Sequence, residues 1–200
     1  MDINKIKLKT IFMADKIHGM LGLIEKGFME NKPEPLSEAM KEEREINEIE
    51  KNLTLAILEL SKSTKEEDKK EEFSALLGVA ETLERMGDEA ANLIERMEIK
   101  IAERLLFSDT GVEQFNETYN AMKKSVDMMR EFLKKPNPNL KERVIDNGFH
   151  VKELVERYRK EHNERLIKGI CTPIAANMYF DMLDFTGNLA RHSSNIVKLF

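Results

Sequence analysis

The sequence predicts an all-α protein: six long antiparallel helices in two tandem three-helix bundles. Three observations predict it. Apolar residues recur at helical spacing along almost the whole chain, and no segment reads as a strand. Helix breaks are few, and they coincide with proline, asparagine and capping hydroxyls. The plan of the first half also returns in the second.

The first helix carries Ile6, Ile11, Ile17, Met20, Leu21, Ile24 and Phe28 on one stripe, and the NKPEP stretch ends it. The second is expected from about Ser37 to Leu60, with Met40, Ile46, Ile49, Leu53 and Ile57 inward. The third starts after Thr64, whose spacing to Glu67 suits a capping box, and continues to about Leu105. Its stripe is Phe73, Leu76, Leu83, Met86, Ala90, Leu93, Met97 and Ile101. Thr110 and Glu113 repeat the capping-box spacing before a fourth helix with Phe115, Tyr119, Met122, Val126, Met129 and Phe132 inward. That helix stops at KKPNPN. Asn139 can cap a fifth, which buries Val144, Val151, Leu154 and Tyr158. Thr172 followed by Pro173 is a strong start for the sixth, a capping hydroxyl before proline at the first helical position.

The two halves match element for element. Phe28 aligns with Phe132, Leu36 with Leu140, Ile46 with Val151, Met86 with Leu189, Asn92 with Asn195 and Leu93 with Ile196. The offset stays between 103 and 105. Residues 1–107 and 108–200 are therefore expected to be two repeats, the second degenerate, with the break near Phe107 to Gly111. Neither half has much core alone, so the bundles are expected to pack side by side.

Composition narrows the function. A net charge of −5 leaves no broad excess of Lys and Arg to neutralise phosphates, which argues against general nucleic-acid binding. Cys171 is the single cysteine, so neither an intramolecular disulfide nor a thiolate metal cluster can form. The N-terminal MDINKIKLKTIF lacks an apolar stretch and cleavage site, and no apolar run approaches the ~20 residues of a membrane span. The expectation is a cytoplasmic protein without transmembrane segments, one that docks at a membrane if it serves one. No phosphate-cradling loop, nucleophile elbow or dinucleotide fingerprint is present. The expectation is that the chain is not an enzyme. His18, His150, His162 and His192 are scattered, and none forms a Glu-x-x-His pair. His162 reads as a surface or inter-helix contact, Gly87 as a point of close helix packing, and the charged run Lys65 to Glu72 as a solvated rim.

The third helix contains LERMGDEAANLIER, Leu83 to Arg96. Residues four apart share a helix face, so Glu84, Asp88 and Asn92 form an oxygen-rich ladder. In EEREINEIEKNL of the second helix, Glu43 and Asn47 flank Ile46. Together these segments resemble the PhoU family, whose third helix carries an acid, then Asp four on, then Asn four further. That family prefers two acids where Glu43 and Asn47 stand. The stretches Lys100 to Phe115 and Arg159 to Gly169 are similar to a narrower group, PhoU-like domains associated with sodium–phosphate cotransporters. The resemblance implies a regulator of phosphate uptake whose partner is a phosphate transporter or sensor at the inner face of the membrane. A homodimer is compatible with it.

The resemblance also implies iron or another divalent metal at Glu84, Asp88, Glu43 and Asn47. Hard cations choose all-oxygen sites, which fits these residue types. The plainer alternative is a solvated acidic face paired with Arg85 or Arg96. The second repeat departs from the pattern: Glu43 aligns with Gly148, Asn47 with Lys152, Glu84 with Gly187 and Asp88 with Arg191. The matching metal place is expected to be lost there. Lys152 and Arg191 then either meet Glu156 and Asp184 as a salt-bridge cluster or form a basic pocket for an anion. Two other functional classes remain at this stage: a metal-carboxylate bundle (a metal store or di-iron-like enzyme) and a metal-free helical adaptor.

Overall fold

The computed structural model describes residues 2–64 and 67–200, except for the side chains at 67 and 68. Among them the elements are α1 (Ile3–Glu30), α2 (Pro33–Ser63), α3 (Glu67–Ala102), α4 (Asp109–Lys134), α5 (Pro138–Ile167) and α6 (Pro173–Lys198), with no strand. The sequence names every helix, and the differences lie at the ends.

Each end follows from which side chain satisfies the orphan backbone groups. The Asp2 carboxylate accepts from the Lys5 amide at 2.9 Å and starts α1. Asn31 ends it in the left-handed conformation (φ 53°), which asparagine tolerates. The second helix begins at Pro33 rather than near Ser37. Prolines are harmless in a first turn because the amides they remove have no helical partner. The Ser108 hydroxyl caps α4 by accepting from Gly111 N at 3.2 Å, so Thr110 lies inside the first turn and does not cap. Asn137 caps α5, accepting from Leu140 N at 3.0 Å. Pro138 takes the first helical position, so the cap must be the residue directly before it, not Asn139. Thr172 and Pro173 start α6 as expected. The predicted capping box of Thr64 with Glu67 lies outside the described residues.

Helices α1, α2 and α3 pack on one another, as do α4, α5 and α6. The two bundles meet along α3 against α6 and α1 against α4. Every apolar pair of the repeat is buried: Phe28 and Phe132, Leu36 and Leu140, Ile46 and Val151, Met86 and Leu189, Leu93 and Ile196. One apolar cluster runs through both bundles. The seam is specific as well as apolar. The tilted rings of Phe28 and Phe115 meet across it with centroids 4.8 Å apart, and the buried Tyr119 hydroxyl donates to the Leu21 carbonyl at 2.8 Å. Charge pairs border it, with Arg130 on Asp15 at 2.5 Å and Lys123 on Glu25 at 2.5 Å.

Candidate functional site: an acidic face and its basic counterpart

The acidic face forms where α2 and α3 approach closely. A Cβ on Gly87 would stand 3.3 Å from Ile46 Cγ2, so glycine there lets the two helices meet. Glu84 and Asp88 project from α3 near Glu43 and Asn47 on α2. Burial pushes the Glu84 carboxyl above the usual carboxylate range. Asp88, Glu50 and Glu43 push it further, against the opposing pull of Arg85. The Asn47 amide donates to Glu43 Oε1 at 2.6 Å, which leaves the buried Asn47 Oδ1 without a partner. Asn92, last in the ladder, is exposed. Glu50 is a member that the sequence reading missed. Its spacing of seven from Glu43, two helical turns, is the signal that would have found it.

The donor chemistry of this face suits a hard divalent cation: all oxygen, with several carboxylates and one unpartnered amide oxygen. Among the described residues, however, no three His, Cys, Asp or Glu side chains gather at ligating spacing. Ligation here requires side chains to turn inward, beginning with Glu43, which Asn47 holds.

In the second repeat Gly148 and Gly187 stand on facing helices. A Cβ on Gly148 would collide with Ser194 Oγ, and one on Gly187 would stand 3.3 Å from Val155 Cγ2. The glycines let α5 and α6 close up and leave a groove of ≈ 670 Å³ above them. Lys152 and Arg191 both line this groove. Lys152 pairs with Glu156 at 3.6 Å, as its spacing of four suggests. Asp184 does not pair with Arg191. Arg159 takes it from across the groove, because Arg191 lies two turns further along α6. Arg191 instead donates to the Asn188 amide oxygen at 3.3 Å.

His162 is a buried inter-helix contact. Its ring stacks on Tyr179 at 4.2 Å, and its Nδ1 lies 3.0 Å from an Arg165 nitrogen. Burial, with Arg165 nearby, pulls its pKa down to about 4. His192 sits at the seam beside Glu89 of α3, and burial, Arg191 and Arg85 bring it to about 4 as well. Among the described residues no helix is long and apolar enough to cross a membrane.

Residues 11–97, which hold the whole acidic ladder, match the family model of the PhoU domain. The first repeat is similar to a PhoU domain. No curated protein sequence matches it significantly. The fold extends the likeness beyond the matched segment. A crystal structure of PhoU from Pseudomonas aeruginosa superposes with a TM-score of 0.92 at 14% identity, covering 98% of this chain and 94% of that one. The phosphate transport system regulatory protein PhoU from Streptococcus pneumoniae gives 0.86 at 12%, over 98% and 91%. A PhoU-like protein from Shewanella oneidensis MR-1 gives 0.65 at 14%, over 96% of each chain. At these identities the structures speak for the fold, and the domain match speaks for residues 11–97.

Proposed function

We propose that this chain belongs to the PhoU family and is a non-enzymatic accessory regulator of phosphate uptake. It acts by docking on a phosphate transporter, or on the sensor that reports its state, at the inner face of the membrane. The PhoU domain match over residues 11–97 carries this reading, and the likeness to a phosphate transport regulatory protein over nearly the whole chain supports it. Deleting the gene should change phosphate uptake and phosphate-responsive transcription when phosphate is abundant, with a wild-type copy restoring both. Uptake that is identical with and without the gene would refute the reading. Pure protein should hydrolyse neither phosphate esters nor nucleotides, since no nucleophile–base pair or phosphate loop stands among its motifs.

The acidic face is the part of this proposal that involves a cation. Glu84 and Asp88 would hold a divalent metal such as iron, with Glu43 and Asn47 completing the donor set, and the second repeat would hold none. The mutual repulsion around Glu84 and the unpartnered Asn47 oxygen favour a cation there. Once bound, the metal would supply positive charge to an otherwise repulsive surface. Metal content and anomalous-scattering maps of wild type and of Glu84→Gln with Asp88→Asn test it. The double variant should lose the metal and keep its helices. Metal found between Lys152 and Arg191, or retained in full by the variant, refutes it.

A further inference from the structure

The groove between α5 and α6 lies at the positions where the second repeat departs from the first, and the acidic site does not use it. It is a built feature. Gly148 and Gly187 form its floor at the positions where the first repeat carries Glu43 and Glu84. The loss of those side chains turns a filled, charged face into a concave one. Apolar surface is available in it: Phe149 is 61% exposed, and Ile145 and Val155 lie along the same wall. The wall residues of α5 recur at helical spacing from 145 to 159, a stretch of about 20 Å at 1.5 Å per residue. That length and shape match an incoming helix of about four turns, laid into the groove by its apolar face.

The charge of the rim selects the occupant. Four cations, Lys152, Arg159, Arg191 and Lys198, line the groove against two carboxylates, Glu156 and Asp184. Both carboxylates are already taken, by Lys152 and Arg159 respectively. Among the described residues, Arg191 and Lys198 have no carboxylate in salt-bridge contact. Arg191 has only the Asn188 amide oxygen, with Glu89 in longer electrostatic reach. These two side chains lie two turns apart on one face of α6, a spacing repeated by acids on a parallel or antiparallel helix. We propose that the α5–α6 groove is a docking site for an acidic amphipathic helix of a partner protein. The proposal deepens the docking reading above by naming the surface and the chemistry of what it receives. Exposed charges of this kind contribute mainly to encounter rate and partner choice, and the apolar floor to residence.

The test uses the full chain and synthetic helical peptides of about 18 residues, a length that spans the groove. Each presents Leu and Phe at i, i+3, i+4 and i+7. One set carries Glu on its flanks in three registers, and a control carries Lys. Binding is followed by fluorescence anisotropy at low and high salt, and the contact surface by backbone amide shifts. At least one acidic register should bind, weaken as salt rises, and perturb amides of α5 and α6. Arg191→Glu with Lys198→Glu should lower its affinity tenfold or more. Both side chains are exposed, so this variant should melt like wild type. Gly187→Leu, which fills the floor, should abolish binding, and a thermal melt shows whether that variant is folded. Equal binding of the Lys peptide, shifts confined to other helices, or no acidic register binding at about 1 mM overturns the proposal. So does inorganic phosphate displacing the peptide from Arg191 at low millimolar concentration, since that assigns the site to a small anion. The peptide assay uses pure protein and the uptake assay uses cells, so either reading can fail without the other.

Discussion

The outer faces of the two repeats share a backbone plan and differ in chemistry at four aligned positions. On α2 and α3 these are Glu43, Asn47, Glu84 and Asp88; on α5 and α6 they are Gly148, Lys152, Gly187 and Arg191. The inner faces hardly differ, since both bury large apolar side chains at matching points. A shared core preserves the fold because packing tolerates exchange among apolar residues of similar volume. The outer face is under no such demand. Acid to glycine on two facing helices, with basic residues replacing the second oxygen donor, therefore makes a different surface on the same scaffold. One face gathers negative charge and the other becomes a basic-rimmed groove.

The sharpest way to break this comparison is to separate the repeats. Residues 1–107 and 108–200, expressed apart, should each fail to unfold cooperatively by circular dichroism. The cluster of Phe28, Phe115 and Tyr119 belongs to both bundles, and dividing the chain exposes it. A cooperative melt from residues 1–107 alone would make the repeats autonomous domains.

Within the intact chain, equivalent core truncations should cost alike. Leu93→Ala and Ile196→Ala should each destabilise by about 2–5 kcal/mol, measured by urea unfolding in a single transition. Both side chains are fully buried. Two resolved transitions, one per variant, would show that the shared core does not couple the bundles.

Acid should act chiefly through the second repeat, where His162 and His192 are both held at about 4. Their ordinary value is 6.5. Below that value the unfolded chain takes up protons that the folded chain refuses. Their contribution to stability is thus complete above pH 6.5 and is lost as pH falls towards 4, by at most about 3 kcal/mol per histidine. Melting temperatures between pH 7 and pH 4 should fall in wild type, and His162→Gln should flatten part of that slope. His162 faces Arg165, Tyr179 and Phe180, while His192 faces Glu89 and Arg85 of α3. An unchanged slope in the variant would remove His162 from the account.

The smallest expected effect tests why glycine replaced acid. Gly148→Ala should destabilise by about 1–3 kcal/mol through overpacking, because its Cβ meets Ser194 Oγ. Adding Ser194→Ala should recover part of the loss. At the aligned position, Glu43→Ala should change stability little, since its side chain is part-exposed and meets no such wall. Equal costs at both positions would mean that the α5–α6 approach does not depend on glycine.

The sequence by itself determined the helix count, the repeat and most of the core, because 3.6-residue periodicity and buried apolar identity are local properties of the chain. Gly87 as a close contact and Thr172 with Pro173 as a helix start were legible for the same reason. The helix starts at Pro33, Ser108 and Asn137 lie two to four residues before the positions the sequence suggests, since several adjacent side chains are able to cap and only the folded backbone selects among them. The acidic ladder on α3 was legible from spacing. Only tertiary structure decided that Asn47 restrains Glu43, and that Arg159 rather than Arg191 claims Asp184. Those facts depend on how far one helix has slid and turned against its neighbour. The periodicity of a single helix shows which face packs, and the contact between two helices sets which residues on those faces meet.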